Sequence, residues 1–328
     1  MNTTGPKVYL VVLNYNNWND TIDCLNSIQK LNYNNFGIIL CDNKSTNNSE
    51  AQLLTYANEY FNTSVFDFNG ISFSPRQSNC LIGNEKTSLC YIQTNNNKGY
   101  AYGNNIGIRF LYDQKLSFQF VWLLNNDALP SSDSLNALVG KGLQDEKVGL
   151  YGSTIIDSTT NMVQCLGGSR YLAWTGRMKP LYGGISQAEL TRRLETRDPP
   201  QIYCVDGAAI FVRKSFIDEV GLMYEKYFLF FEEADWCIRG RACGFKIDVA
   251  PASTVIHKGG ASTQHSLFSQ YFLCRNHFIH LNRYAGWRKY YLIPAVGLIK
   301  IFKYSTKNKL EGAKMVARAL YDALKFID

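Results

Sequence analysis

Three short polar groups in this 328-residue sequence have residue types and positions that could do chemistry. The first comprises Asn125, Asn126 and Asp127, directly after the apolar run Val121 to Leu124. A carboxylate flanked by amides suits a hard divalent cation that keeps some waters and also holds a phosphate. The same residues could form only a turn and a helix cap, and taken alone they do not decide between the two.

The second group is a set of three acids, Glu232, Glu233 and Asp235, which follows the aromatic run Tyr227 to Phe231. Apolar neighbours and like charges raise the pKa of a carboxylic acid, and a raised pKa suits a general base. Acids also stabilise the first turn of a helix through its dipole, so a structural role is the alternative. Only one of the three needs to act as a base.

The third group is His257, which follows the apolar residues Thr254 to Ile256. It could be a metal ligand or a hydrogen-bonded loop residue. A glycine-rich turn with Gly99, Gly103 and Gly107 also enters a predicted helix, where backbone N–H groups could approach a phosphate or ribose. Its spacing matches neither the dinucleotide fingerprint nor the P-loop, and close helix–strand packing is an equal explanation.

The elements that must position these groups alternate between strands and helices. We predict strands over residues 7–13, 38–41, 89–93, 121–124, 148–156, 203–212 and 247–250. Helices are predicted over 20–31, 51–60, 131–145, 213–220 and 232–244. This order predicts an α/β fold with a mostly parallel central sheet flanked by helices. Because parallel strands end at one edge, Asn14, Asp42 and Asp127 should lie along it, where a carboxylate such as Asp42 could bind a pyrimidine imide or merely cap a turn.

Two stretches lack a clear pattern of hydrophobic residues at helix or strand spacing. Residues 62–88 predict an insertion or long loop, with a short strand near Val65 to Phe68. Residues 164–200 are rich in glycine, arginine and proline and predict a mobile loop over the site. We therefore expect one domain over residues 1–265 and a basic helical extension over 266–328.

Positive charge is concentrated in the last part of the chain. Residues 271–328 contain eleven Lys or Arg against three acids, in a sequence of net charge +7. Such asymmetry predicts attraction to an anionic membrane surface, whereas nucleic-acid binding is disfavoured because no known reader module is present. The predicted final helix could lie on that membrane, pack on the core, or pair with a second subunit in a homodimer. Its apolar face would comprise Leu310, Ala313, Ala317, Leu320, Leu324 and Ile327.

No signal peptide or membrane span is recognisable in the sequence. The apolar run Val8 to Leu13 is short and meets Asn14 at once, and the run Tyr290 to Phe302 is interrupted by Pro294 and Lys300. We expect a cytoplasmic protein, peripheral on the inner face of the membrane if it contacts lipid. With 46% hydrophobic residues, the chain can bury a full core.

Five sequence blocks, in this order, carry a family resemblance. They are VVLNYNNW, ILCDNKSTNNS, NNNKGYAYGNNIGI, WLLNNDALP and DGAAIFVRKSFIDEVGLMYEKYFLFFEEADWCIRGRACGFKIDVAPASTVIHKGG. From about Lys7 to about Ser262 the sequence resembles the family 2 glycosyltransferases, particularly the rhamnosyltransferase-like members of bacterial surface polysaccharide and O-antigen synthesis. The resemblance implies a GT-A fold, a Mg²⁺ or Mn²⁺ ion and inversion at the anomeric carbon. It also implies a nucleotide-sugar donor, with dTDP-L-rhamnose favoured and a UDP-hexose next, and a glycan or lipid-linked glycan acceptor.

The resemblance also assigns roles at the donor side. Asn14 and Asp42 look like contacts to the donor base. Gly99, Asn104 and Asn105 look like the donor-side loop. These roles come from the match of blocks, and the residues themselves leave turn and packing roles open.

At the reacting centre, Asp127 occupies the last position of the family's DxD-type motif and looks like the metal and diphosphate residue, with Asn126 beside it as a donor contact. Glu233, at the second acidic position of the Glu-Asp-x-Asp block, looks like the catalytic base. His257 looks like the histidine that ligates the metal in some members. Two departures stand out, since the DxD-type motif has one carboxylate and Glu replaces Asp at 233. A non-catalytic nucleotide-sugar or glycan-binding module and a nucleotidyltransferase are the other functions left open.

Overall fold

A large mixed sheet runs through the molecule, and helices cover both faces. The computed structural model describes residues 5–78, 87–172, 174–259 and 266–326, apart from the side chains of 303–310. The strands are β1 Val8–Asn14, β2 Phe36–Asp42, β3 Asn62–Phe68, β4 Phe73–Ser78, β5 Ser88–Thr94, β6 Phe120–Asn125, β7 Ala128–Pro130, β8 Val148–Asp157, β9 Val163–Leu166, β10 Gly168–Leu172, β11 Arg177–Pro180, β12 Cys204–Val205, β13 Ala209–Arg213 and β14 Lys246–His257. The helices are α1 Trp18–Ile28, α2 Ser49–Tyr60, α3 Tyr100–Asp113, α4 Ser134–Gln144, α5 Gln187–Thr196, α6 Lys214–Val220, α7 Glu232–Ala242, α8 Leu267–Tyr284 and α9 Lys289–Leu324.

The strand order of the main sheet is β4-β3-β5-β2-β1-β6-β13-β8-β14-β7, with β9 joined to β8. Strands β3, β5, β2, β1 and β6 are parallel neighbours, whereas β13 runs antiparallel between β6 and β8. The predicted α/β class and mostly parallel sheet are confirmed. In this register Asn14 pairs with Asp42 and Leu13 pairs with Asn125, so the three strand ends share one edge as expected.

Alternation along β1 divides the core between the two faces of the sheet. Leu10 and Val12 pack with Leu25 of α1 and Leu53 of α2 on one face. Val11 packs on the other face, with residues of α3, α6 and α7. A strand buried on both faces must be apolar throughout, which is why this run was recognisable from sequence.

Residues 62–78 are not the insertion or long loop that the sequence predicts. They form β3 and β4, which extend the main sheet, and β3 pairs in parallel with β5 over its full length. The short strand expected near Val65 to Phe68 is present within β3. Because these edge strands bury only part of their side chains, polar residues break the hydrophobic period. Residues 79–86 of the predicted insertion lie outside the described residues.

Residues 164–200 also carry regular structure where a mobile loop was expected. Strand β9 pairs with β8, and β10 pairs with β11 and β12 in a separate three-stranded sheet. Helix α5 follows, with the Ser186 hydroxyl accepting a hydrogen bond from the Glu189 backbone N–H. The strand predicted over 203–212 is divided by a turn at 206–208 into β12 and β13. Strands this short and polar contain too few residues to show the alternation of hydrophobic and polar side chains that predicts a strand.

The last two helices pack on each other and on the segment before α7. Their shared apolar cluster includes Phe278 and Leu281 of α8, Val316 and Ala319 of α9, and Tyr227. The final helix therefore packs on the core, one of the three predicted alternatives, but through a partly different face.

The expected apolar face of α9 is partly right. Ala313 and Leu320 are half-buried, and Leu320 packs against the shared cluster. Ala317 and Leu324 are exposed, whereas Val316, Ala319 and Ala323 are buried. The side chains of Leu310 and Ile327 lie outside the described residues. Across the described ranges, no helix combines the length and hydropathy needed to cross a bilayer.

Gly99→Ala should lower the free energy of unfolding by roughly 2–4 kcal/mol. Gly99 has φ of +96°, and an added Cβ would lie 1.9 Å from the Phe228 carbonyl oxygen. Urea unfolding followed by circular dichroism measures the loss.

Gly140→Ala is the matched control. It lies in α4, and a Cβ there meets no described heavy atom within 4 Å. The control should stabilise the protein by about 0.5–1 kcal/mol, as alanine does in a helix. Equal effects of the two substitutions would contradict the close approach of Gly99 to Phe228.

Candidate active site

The short strand β7 brings Asp127 against a histidine 130 positions away. It pairs antiparallel with the end of β14, with Ala128 opposite His257. The Lys258 N–H donates to the Asp127 carbonyl at 3.0 Å and closes the turn. As a result Asp127 Oδ1 lies 3.3 Å from His257 Nε2, and the two side chains are 15% and 12% exposed. The two residues predicted as metal ligands therefore lie together.

A glutamine orients the imidazole of His257. His257 Nδ1 lies 3.1 Å from Gln164 Oε1, so a proton on Nδ1 is donated to that oxygen and Nε2 faces Asp127. Burial by itself would lower the pKa of His257, but Asp127 and, more weakly, Asp206 and Asp157 outweigh it and raise the pKa. The raised pKa reports a local negative potential, which also attracts a metal cation.

Asp127 and His257 fit a divalent ion that shares its coordination with a phosphate. Ligands at 2.0–2.1 Å and a right angle are about 3 Å apart, close to the observed 3.3 Å. Within the described ranges, no group of three or more His, Cys, Asp or Glu side chains could hold a metal. Mg²⁺ commonly takes one or two protein ligands and completes its shell with water and substrate phosphate. The pair is thus suited to an ion that arrives with a diphosphate.

Two adjacent acids at the start of α7 differ in access. Glu233 is partly exposed and lines a cavity of about 670 Å³. Burial, with a contribution from Asp206, raises the pKa of Glu233 to about 7. Glu232 is 2% exposed, and burial and the neighbouring Glu233 raise its pKa well above the usual range. Glu233 is therefore the acid that can meet a ligand.

Asp235, the third acid of the cluster, has a structural role. It is fully buried, and its carboxylate lies 2.8 Å from Arg239 Nε and 3.1 Å from Arg283 Nη1. Tyr284 of α8 also donates its hydroxyl to Asp235. These partners tie α7 to α8.

Asp206 joins the two halves of the site, and the sequence analysis missed it. It lies in the turn between β12 and β13, where it accepts the Ala208 N–H at 3.0 Å. Its charge raises the pKa of both Glu233 and His257, so it lies within electrostatic range of each. The available signal was an acid followed by Gly207 inside an otherwise apolar strand pattern. Asp206 is therefore an electrostatic neighbour of both Glu233 and His257.

The loop that leads into α7 is strained. Phe228, Phe230 and Phe231 have φ of 69°, 72° and 76°, in the left-handed region that side chains other than glycine rarely adopt. Each such residue costs on the order of 1–3 kcal/mol, so the surroundings must fix the conformation. Three strained residues directly before Glu232 and Glu233 indicate that the placement of these acids has a stability cost.

Helix α8 supplies the bonds that hold this loop. The Asn276 amide nitrogen donates to the carbonyl oxygens of Tyr227, Leu229 and Phe230 at 2.9, 2.7 and 2.9 Å. Arg275 Nη2 donates to the Tyr227 carbonyl at 2.7 Å. On the other side, the Tyr100 N–H donates to the Phe228 carbonyl at 2.7 Å. The predicted extension thus forms part of the site.

Asn14 and Asp42 lie together at the predicted sheet edge, but both are fully buried. Asn14 Nδ2 donates to Asp42 Oδ2 at 2.8 Å, and Asp42 Oδ1 accepts the Ser45 N–H at 2.7 Å. Thr21 donates its hydroxyl to Asn14 Oδ1. The pair braces the loops after β1 and β2.

The asparagines of α3 serve packing. Both amide hydrogens of Asn105 are used, by the Met223 carbonyl at 2.8 Å and Glu225 Oε1 at 2.9 Å. The buried Asn104 donates to the Tyr100 carbonyl at 3.1 Å. These bonds, like the contact of Gly99 with the strained loop, fasten α3, whereas the buried Asn104 Oδ1 has no hydrogen-bond partner among the described residues.

Asn126 likewise faces protein. Its amide nitrogen donates to the Asn17 carbonyl and the Thr21 hydroxyl, both at 3.0 Å. It therefore fixes the Asp127 turn on α1. Asp127, next to it, lies against His257 instead.

Comparison with known proteins agrees with this geometry. Residues 9–70 match the family model described as glycosyl transferase family 2. A curated relative, the low-salt glycan biosynthesis hexosyltransferase Agl10 of Haloferax volcanii, is 23% identical over 234 residues, covering 71% of this chain and 69% of that protein.

Solved structures match nearly the whole chain. The mannosyltransferase PcManGT from Pyrobaculum calidifontis in complex with GDP-Man and Mn²⁺ has a TM-score of 0.56 at 14% identity, covering 98% of this chain and 81% of that one. GalNAc-T7 with UDP, GalNAc and Mn²⁺ has a TM-score of 0.60 at 15% identity, covering 99% and 57%. The fold is that of the GT-A glycosyltransferases. Residues 9–70 are similar to glycosyltransferase family 2, and the hexosyltransferase relative is a distant one.

Asn276→Ala should lower the free energy of unfolding by about 2–4 kcal/mol, because buried carbonyl groups lose their donor. Hydrogen exchange at the Tyr100 backbone N–H should also accelerate, since its acceptor Phe228 lies in the loop that is released. Asn282→Ala, on the same helix and partly exposed, is the control and should change stability by less than about 0.5 kcal/mol. Unchanged exchange at Tyr100 would show that Asn276 does not hold the loop.

Proposed function

We propose that this protein is a metal-dependent inverting glycosyltransferase. It moves a sugar from a nucleotide-diphosphate donor to a hydroxyl of a glycan or lipid-linked glycan acceptor. The observation that carries the proposal is the Asp127–His257 pair, 3.3 Å apart at the sheet edge, together with the accessible acid Glu233, with Asp206 an electrostatic neighbour of both. A cation-binding pair and an accessible acid of raised pKa are the two groups that displacement of a diphosphate by a hydroxyl requires.

The side chains divide the reaction between them. Asp127 and His257 would hold a Mg²⁺ or Mn²⁺ ion together with the donor diphosphate, and the bound ion would neutralise the charge developing on the leaving group. Glu233 accepts the proton of the acceptor hydroxyl as that oxygen forms its bond to the anomeric carbon. The bond from the anomeric carbon to the phosphate oxygen breaks on the opposite face, and the nucleoside diphosphate departs. Attack from the face opposite the leaving group inverts the configuration.

Two comparisons bear on the identity of the donor sugar. The five sequence blocks favour dTDP-L-rhamnose, whereas the hexosyltransferase relative favours a nucleotide-activated hexose, for which UDP-hexose is the alternative donor. We propose that the base lies on the loops braced by Asn14 and Asp42. A donor screen by thermal shift with Mn²⁺ ranks the candidates, because a bound donor stabilises the folded state according to its occupancy.

Glu233→Gln should reduce turnover by roughly 10²–10⁴-fold, the usual contribution of a general base. Donor affinity, measured by thermal shift with Mn²⁺, should stay within about twofold because the amide retains the shape of the side chain. Glu195→Gln, on the exposed end of α5, is the matched control and should retain full turnover. If the Glu233 variant keeps the turnover of the Glu195 variant, Glu233 is not the base. Absence of turnover in the unsubstituted protein with every donor would instead indicate a binding module.

Turnover should rise with pH through the raised pKa of Glu233, about 7. The base is active when deprotonated, so the rate should fall about tenfold per pH unit well below that value. Asp206→Asn should move the midpoint to lower pH, because the charge of Asp206 contributes to raising the pKa of Glu233. The pH–rate profiles of the two proteins measure the shift, and a midpoint that moves upward would contradict this arrangement.

A further inference from the structure

The cavity beside Glu233 is apolar on most of its lining. Trp174 and Met178 form one side of it, and Leu273 of α8 and Val296 of α9 form the other. Its volume of about 670 Å³ is in the range of ligand sites, and Glu233 is the one acid among the lining residues. A sugar presents hydroxyl groups on most of its surface and would leave these walls without partners. The lining instead suits a hydrocarbon chain.

Two cations also line this cavity, Arg177 of β11 and Lys300 of α9. His277 adds no charge, because burial lowers its pKa to about 3 and its Nε2–H donates to the Gly176 carbonyl. An apolar cavity with two fixed cations is complementary to a hydrocarbon chain that carries a phosphate.

The cavity is continuous with an exposed apolar surface. Ile299 lines the cavity and is 65% exposed, and Leu298 and Phe302 beside it on α9 are 69% and 75% exposed. Trp174, at the cavity, and Trp287, just before α9, are also exposed. Exposed aromatic and aliphatic side chains near basic residues are typical of surfaces that contact lipid. A chain leaving the cavity along α9 would therefore meet apolar surface before solvent.

We propose that this cavity binds the hydrocarbon chain of a lipid-phosphate-linked acceptor, with Arg177 and Lys300 at its phosphate. The attached sugar would then present its hydroxyl to Glu233. This assignment rests on the proposed function for the role of Glu233, and it narrows the acceptor from glycans in general to amphiphiles that carry a phosphate.

Binding of hexyl, octyl and decyl phosphate to the full chain tests the cavity without a transfer assay. Calorimetric titration below the micellar concentration should give one site per chain. Affinity should rise roughly fourfold per methylene, hence about 16-fold between successive members, until the cavity is full. Octyl glucoside, which lacks the phosphate, should bind more weakly than octyl phosphate.

Substitutions inside and outside the cavity lining test where the alkyl phosphates bind. Ala295→Trp places a large ring at the cavity lining and should remove the gain with chain length. Ala317→Trp, the same change at an exposed position of α9 away from the lining, should keep the gain. Arg177→Gln should weaken octyl phosphate at least about fivefold, whereas Lys179→Gln, two residues along β11, should not. Thermal unfolding of each variant verifies that it is folded.

An affinity independent of chain length, or equal effects of the two tryptophan variants, would overturn the lipid cavity. If the phosphates bind as described while Glu233→Gln keeps full turnover, the transferase role of Glu233 fails and the cavity stands. If Glu233→Gln abolishes turnover while the phosphates do not bind, the cavity fails and the transferase stands.

Discussion

A single side-chain amide on α8 holds the loop on which the candidate site depends. Asn276 donates to three carbonyl oxygens between Tyr227 and Phe230, in a loop where Phe228, Phe230 and Phe231 have positive φ. Strained backbone persists only where its surroundings over-determine it. Here the restraint comes from α8 on one side and from the start of α3 on the other. The result is that Glu233 faces a cavity while Glu232 beside it is buried.

Because α8 supplies this restraint, the last sixty residues have a structural role in the site. The sequence suggested a basic extension appended to a complete domain. In the structure, Tyr227 belongs to the same apolar cluster as α8 and α9, and Asp235 of α7 is paired with Arg283 of α8. The extension therefore positions the acid, forms a wall of the cavity and presents an exposed apolar surface. Structural support, access to the site and the proposed lipid contact reside in the same two helices.

Local sequence patterns predicted the scaffold and the principal acids. Continuous apolar runs identified β1, β2 and β6, and the rule that ligands meet the carboxyl ends of parallel strands placed Asp127 correctly at the edge. The acids after an aromatic run identified the start of α7. These features depend on residues that are neighbours in the chain, so their periodicity or order carries the information.

Features that depend on distant pairing were not predictable in the same way. Strand β7 has three residues and exists because β14 pairs with it, so the contact of Asp127 with His257 has no local signal beyond the polar residues themselves. The phenylalanines with positive φ carry no local sequence signal either, because glycine is the residue expected at such positions. Asn105 looked like a ligand residue until its amide was seen to be satisfied by Met223 and Glu225. Composition identifies polar side chains, and only packing shows which are already partnered.

The central claim is that Asp127, His257 and Glu233 serve one bound donor. Anomalous diffraction from crystals grown with Mn²⁺ and the donor that stabilises the protein most tests it directly. The account predicts a manganese peak within bonding distance of Asp127 and His257, with the anomeric carbon between the metal and the Glu233 carboxylate. A manganese ion bound elsewhere, or a donor sugar directed away from Glu233, would contradict it.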